Sequence, residues 1–534
     1  MKINTREGRA IKSTKEEMER GVREVKSRIS DWRRRLEENP ERLHEIESEV
    51  RDTMCRVGDH LVAGMLKEVS GEEPPEQEIE AVREKAVQEG NPLKAPLRNY
   101  PIKVAMLSGL ILCLRVLYCP PDKGKAQRMK AQGLVPEAHP QKGVHVELGK
   151  FGFGKGCSPA LQEEVARLVV YYPSLELARK DLCRRGIVKD IKQIRRITLQ
   201  LGFGMLDVRR QRIERWRSGE LTAGTELAGK KVAVAIDGGR VRFRVKKKGK
   251  TTRFLPVWRE PKMLIIYTMD ENGRKESKSA CWIDGTFQKA DQLMELLAMH
   301  LHRLGAKYAR SIEFVSDGAP WIWNRLDWVI EKVGVSENRV IKVLDFWHAA
   351  HHISIALEKM GMEEKERKEK YRKLRSDLRR GRWKDVVEEL ENCASEKNEK
   401  GAEGQHEATQ AISYLRRHGE YGYLQYLRCK RHRITRGSGA IESTIRRVIN
   451  LRMKGNGIFW REENAEAMMV MRANLLSDQW DAEIKAVRER WKTGGRDDYK
   501  WKAENILESV KREYFEEDDF IKMSEISEVL SNVA

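Results

Sequence analysis

Residues 232–236, Val-Ala-Val-Ala-Ile, form a near-continuous apolar run that reads as a buried strand. It stops at Asp237-Gly238-Gly239. Beyond it Val241, Phe243 and Val245 alternate with Arg240, Arg242 and Arg244. That alternation predicts a strand continuing with one wet face, with a hairpin tip at 246–250. Further strands are expected over 263–267, 277–283, 312–315 and 340–344. A helix over 288–304 points Leu293, Leu296, Leu297 and Leu301 inward, and a second, rich in tryptophan, covers 321–333. The fourth strand delivers Asp317-Gly318-Ala319, and the fifth delivers Asp345-Phe346-Trp347-His348.

Three strands, helix, strand, helix, strand is the order of a ribonuclease-H-like α/β domain with a mixed sheet. A long helical stretch follows, dense in Lys, Glu and Arg and then aromatic at Tyr414, Tyr421, Tyr423 and Tyr426. It reads as an all-α insertion and a separate lobe. After it, Gly437-Ser438-Gly439 feeds a helix whose Ile441, Ile445 and Val448 recur at helical spacing. Glu442 sits in the first turn of that helix, where an acidic group also complements the helix dipole.

Lys and Arg total 103 against 82 Asp and Glu, a formal net charge of +21, which favours a polyanionic partner. Residues 1–100 are helical, with Trp32, Leu36, Leu43, Ile46, Val50, Met54 and Val57 on an apolar stripe. Residues 101–157 form a small strand-and-loop module. Residues 158–208 read as a helix-turn-helix: Ser158-Pro159 and Pro173-Ser174 open two helices, and Arg185-Gly186 precedes a third with Ile191, Ile194 and Ile197 inward. The outer face of the third carries Lys192, Gln193, Arg195 and Arg196, which suits phosphate and base contacts. An ordinary three-helix bundle with a solvated basic face is the alternative. Residues 209–231 read as a polar connection. The core then falls into 231–355 and 436–480, the insertion into 356–435, and a helical tail into 481–534 with acidic Glu516–Asp519 near its end.

Eight cysteines show no paired spacing; Cys113 and Cys119 lack a CxxC pair, so no zinc site is expected. The N-terminus has no apolar signal core, and the longest apolar run is too short to span a bilayer. A soluble, cytoplasmic, nucleoid-associated protein is expected.

Carboxylates bind Mg²⁺ or Mn²⁺ because hard cations prefer oxygen. Two such ions about 4 Å apart can clamp an in-line phosphoryl displacement. Asp237, Asp317 and Glu442 are the candidates, with Asp270, Asp284 and Asp291 read as turn or surface residues. His348 is a candidate to position a phosphate or the attacking water; a packed structural histidine is the alternative. His348 and His352 stand four apart, but no third ligand is evident and no HExxH is present, which argues against a zinc hydrolase.

Taken in order, Asp237-Gly, Asp317-Gly-Ala with Trp321, Asp345-x-x-His348, Gly437-Ser-Gly-x-x-Glu442 and Arg452-Met-Lys-x-x-Gly457 resemble the DDE transposases of bacterial insertion sequences. They are most similar to the Mutator-like group, whose catalytic domain carries an all-helical insertion. The resemblance covers about residues 230–480. It implies that Asp237, Asp317 and Glu442 bind two Mg²⁺ or Mn²⁺ ions and that Asp345 and His348 form a Cys/Asp-x-x-His element. It also implies double-stranded terminal-repeat and target DNA as substrates, cleavage followed by strand transfer, and a homo-oligomer on DNA. Arg446, Arg447, Arg452 and Lys454 are expected to contact that DNA. A nuclease that only hydrolyses, and a DNA-binding protein that has lost catalysis, are the rival readings.

Overall fold

The structure is a computed structural model that describes residues 1–71, 74–88, 90–134, 142–246, 254–276, 281–397 and 404–493. The chain divides into two compact units, one of Met1–Leu201 with a short piece from Arg488, the other beginning at Gly202. Among the described residues, no helix is long and apolar enough to cross a membrane. The acidic cluster at 516–519 and the hairpin tip at 247–250 lie outside the described residues.

The first unit opens with β1 (Lys2–Thr5), α1 (Thr14–Glu38), α2 (Leu43–Ser70) and α3 (Glu76–Gln88). Ser13 and Glu16 close a capping box at the start of α1. Helices α1 and α2 approach closely at Gly21, where a Cβ would meet Val57 Cγ1 at 2.4 Å. The short turn Pro40–Arg42 between them resets the helical register. As a result Trp32, Ile46 and Val57 are buried as expected, while Leu43 and Met54 are exposed.

Strands β2 (Leu97–Ala105) and β3 (Ile111–Cys119) form an antiparallel hairpin, and β1 adds to β3. The expected loop up to residue 156 instead carries α4 (Lys123–Ala131), β4 (Val144–His145) and α5 (Val146–Lys150). Three further helices follow: α6 (Pro159–Tyr171), α7 (Leu175–Arg184) and α8 (Ile191–Arg217). Ser158 and Ser174 accept from the Leu161 and Leu177 amides, capping α6 and α7. Ile194 and Ile197 are buried, and Lys192, Gln193, Arg195 and Arg196 are exposed. The third helix does not stop where the polar connection was expected from residue 209. It continues to Arg217 because Arg209 is drawn inward, donating to Asp284 and Glu466. Asp284 is therefore buried rather than a surface residue, and it also holds the His300 ring at 2.9 Å.

In the second unit β5 (Lys231–Gly238) is buried through Ile236. It does not continue past Gly239. β6 (Val241–Lys246) pairs with β7 (Phe254–Arg259) in a separate two-stranded ribbon, because the chain turns at Gly238-Gly239, where the Gly239 amide donates to Pro261 O. β8 (Lys262–Met269) then runs antiparallel beside β5, and β9 (Cys281–Thr286) antiparallel beside β8. The strand expected at 277–283 is described only from Cys281 and extends to Thr286. α9 (Ala290–Arg303) leads to β10 (Ser311–Ser316), and α10 (Pro320–Val333) to β11 (Val340–Leu344). β10 and β11 run parallel to β5, giving the order β11-β10-β5-β8-β9. Helices on a mixed sheet make this an α/β fold.

The helical region comprises α11 (Phe346–Lys359), α12 (Glu364–Arg379), α13 (Trp383–Lys397), α14 (Gln405–Glu420) and α15 (Tyr426–His432). It is not a detached lobe. The Tyr423 ring stacks on Trp323 of α10 at 4.3 Å, and the buried Tyr426 hydroxyl donates to Leu344 O of β11. The chain then returns through α16 (Gly439–Ile445), a π-helical turn at Arg446–Asn450, α17 (Leu451–Met453), α18 (Glu462–Leu476) and α19 (Trp480–Thr493). Ile441, Ile445 and Val448 are buried, as their spacing predicts.

Candidate active site

Strands β5, β10 and β11 are parallel neighbours that finish in one row. Ser316 of β10 stands opposite Ile236 on one side and Leu344 on the other. The next residue on each chain is an aspartate: Asp237, Asp317 and Asp345. Neighbouring strands lie about 4.8 Å apart, so three carboxyls occupy one edge. The row is held in register at its outer end, where the Asp345 amide donates to Ser316 O at 2.8 Å. The carboxyl ends of parallel strands are where open α/β sheets place their sites.

The three aspartates differ in charge state because their surroundings differ. Burial pushes the Asp237 carboxyl up to about 7, and the neighbouring Asp317 charge adds to the rise; the Gly238 amide, donating at 2.6 Å, opposes it. Burial likewise raises Asp317, against the donated Ala319 amide. Asp345 is fully buried, which alone would raise it. The His348 ring and the Ser438 amide outweigh burial and hold its carboxyl below the ordinary value.

Asp345 also caps α11, accepting the His348 amide at 2.8 Å and meeting His348 Nδ1 at 3.2 Å. An ionised Asp345 accepts only, so Nδ1 carries the proton. Its Asp345 partner raises the His348 pKa, against burial, with help from the Asp317 and Asp237 charges. Glu442 reaches the same place from α16. It is exposed, and its Oε1 accepts from Ser438 Oγ at 3.0 Å. Among the described residues one group could hold a metal ion: Asp345, His348 and Glu442, with one ligand atom from each within 4.8 Å of the others. His348 joins this group to the other pair, since its charge acts on both Asp237 and Asp317. Oxygen donors predominate, a set that suits a hard divalent cation.

Of the residues singled out from sequence, His348 and Glu442 fall in this group with Asp345; Asp237 and Asp317 stand at the neighbouring strand ends, and Asp237, Asp317 and Glu442 do not themselves form such a group among the described residues. Asp345 stands with them more centrally than a helix cap requires. Its signal was present in the sequence as a third strand ending in aspartate. Ser438 stood in the Gly437-Ser438-Gly439 turn before Glu442, whereas Tyr414 showed only as one of several aromatic residues. The Tyr414 hydroxyl lies against Gly318, where a Cβ would fall 2.2 Å from it, and its ring stacks on His352 at 3.7 Å. Burial pushes His352 down to about 4, and its ring lies flat on Tyr414.

Of the basic residues expected at DNA, Arg446 is exposed and Arg447 and Lys454 are half-buried. Arg452 is a correction. It is buried, with its guanidinium 5.5 Å from the centre of the Trp460 ring, so it supports the fold of this segment rather than offering a surface contact. Cys113 is half-buried and Cys119 buried, and neither joins a metal-binding group among the described residues.

No family model matches this chain, and no curated protein sequence does. Among solved structures, a chain of the Drosophila P element transposase strand transfer complex is similar at 10% identity and a TM-score of 0.21, covering 72% of this chain and 88% of that one. A likeness of that size carries no argument about function, which rests on the geometry above.

Proposed function

We propose that this protein is a DNA transposase of the DDE type, with a ribonuclease-H-like core interrupted by an all-helical insertion. The observation that carries this reading is the row of Asp237, Asp317 and Asp345 at the ends of three in-register parallel strands, with Glu442 and His348 brought to the same edge. Asp237, Asp317 and Glu442 would hold Mg²⁺ or Mn²⁺, two ions in the reading from sequence. Bound there, the ions supply charge stabilisation to the attacking and leaving oxygens of a phosphodiester.

The remaining work falls to the chain itself. Asp237 and Asp317 present two carboxylates side by side, preorganised by buried strands. Glu442 closes the set from an exposed helix start. Asp345 fixes the His348 ring through Nδ1, which leaves Nε2 to meet a phosphate oxygen or an attacking water. The substrates are double-stranded DNA, first the element ends and then a target attacked by the freed 3′-hydroxyl. Working as a homo-oligomer on that DNA belongs to the same proposal. Incubation of the purified protein with candidate element ends and Mn²⁺, scoring cut and joined strands, tests it. Cutting without joining supports a hydrolytic nuclease instead, and binding with neither supports a DNA-binding protein without catalysis.

His348→Ala is expected to slow cutting by roughly a hundredfold, the usual scale for a positioned acid–base group, with end binding unchanged. Single-turnover cleavage beside a gel-shift titration separates the two. A folded variant that cuts like the parent would make His348 a packing residue.

The basic face of α8 is proposed to bind DNA through Lys192, Arg195 and Arg196. Changing all three to Ala should flatten the dependence of log K on log salt by roughly three units, about 0.9 per lost phosphate contact. An unchanged slope removes this helix from the interface.

A further inference from the structure

The ribbon β6–β7 begins four residues after Asp237, and its two faces differ sharply. Val241, Phe243, Val257 and Arg259 are buried, with the Phe243 ring 4.9 Å from Phe287. On the other face Arg242 stands opposite Trp258, and Arg244 opposite Pro256. Directly paired residues of an antiparallel ribbon share a face. Trp258 is 51% exposed and Phe254 41% exposed. The Arg242 guanidinium lies 5.6 Å from the Trp258 ring centre and 4.9 Å from that of Phe459, whose ring is 5.1 Å from Phe254. The Arg242 guanidinium also donates to Gly455 O, and the Arg242 and Arg244 backbones bond to Trp460, which fixes the ribbon against that loop. Trp258 and Phe254 lie on this one face with Pro256 between them, and both are exposed. Interleaved with arginines, they make a cationic platform of flat rings.

We propose that this outer face, formed by Arg242, Arg244, Phe254, Trp258 and Phe459, stacks the bases of an unpaired DNA strand. Arginine neutralises phosphate while aromatic rings accept any base by its π-face, which is the pairing that single-strand binding requires. The platform is tied to the carboxylate edge, since Glu260, the residue after β7, packs its side chain against Gly238, next to Asp237. A strand frayed next to the phosphodiester being cut would leave Asp237 along this ribbon. That direction rests on the proposed DNA-cutting function, whereas binding itself does not.

The test uses the full chain in EDTA, so that no cutting takes place. Fluorescence anisotropy compares an oligothymidylate of about 15 nucleotides with an abasic strand of the same length and charge. The base-bearing strand should bind about tenfold more tightly, the scale of one lost stacking contact. Trp258→Ala should remove that preference and leave abasic binding intact, and Trp258→Tyr should restore it. Equal binding of both strands by the parent protein overturns the proposal, as does a Trp258→Ala variant that keeps the preference. If Trp258→Ala weakens both strands alike, the ribbon is structural and the proposal also falls. A protein that prefers the base-bearing strand but never cuts DNA keeps this platform and loses the transposase reading; one that cuts but shows no preference does the reverse.

Discussion

Asp237→Asn is expected to reduce divalent-ion-dependent strand cutting by about a thousandfold or more, the loss of roughly 4 kcal/mol of transition-state stabilisation. The amide keeps the size and the hydrogen bond from the Gly238 amide, but it cannot carry the negative charge that a cation requires. Asp317→Asn and Glu442→Gln should each fall in the same range. On the proposed function the three groups act as one unit, so a double variant should be little worse than either single one. Cleavage of labelled element ends in Mn²⁺, with gel-shift binding as a control, reads this directly. Retained cutting in Asp237→Asn would remove the carboxylate row from the chemistry.

The same substitution should make the metal-free protein more stable at neutral and higher pH. The Asp237 carboxyl is raised to about 7 in the folded chain from an ordinary 3.8, by burial and by Asp317. A raised carboxyl favours the fold while it is protonated. That contribution is complete below about pH 4 and is lost as pH rises through about 7, because the unfolded chain releases the proton more readily. The full loss is roughly 4 kcal/mol at most. In EDTA the parent should therefore melt several degrees lower at pH 8 than at pH 5, and Asp237→Asn should shrink that gap. Mn²⁺ should restore the parent at pH 8 and act less on the variant. Thermal melts at the two pH values, with and without Mn²⁺, decide it. A variant no more stable than the parent at pH 8 would mean that burial and the Asp317 charge do not raise the Asp237 carboxyl.

Much of this architecture was legible in the chain because strands ending in aspartate are a local pattern. The runs before Asp237, Asp317 and Asp345 each carry enough buried aliphatic residues to announce a strand, and the following glycine or helix start marks its end. The helix at Glu442 was legible from the Ile441, Ile445 and Val448 spacing. Long-range choices were not. Nothing near Gly239 says that β6 swings out as a ribbon, since its alternation fits an edge strand equally well. Arg209 reads as part of a polar connection until its partners Asp284 and Glu466 come from far along the chain. Arg452 looks like a surface cation until Trp460 folds over it. Tyr414 enters the site only because α14 packs beside Gly318, a contact between residues almost a hundred positions apart in sequence.

The position of α16 has a consequence for the life of the chain on the ribosome. Glu442 follows Asp237 by about 200 residues, so at about 5–20 residues per second it is made roughly 10–40 seconds later. Over the later part of that interval helices α6 to α8, Asp237 and Asp317 already exist, and the last carboxylate does not. On the proposed function, a nascent chain can hold DNA before it can break it. Messages that end early would then yield chains that occupy element ends without opening them, and the order of synthesis itself would restrain the enzyme.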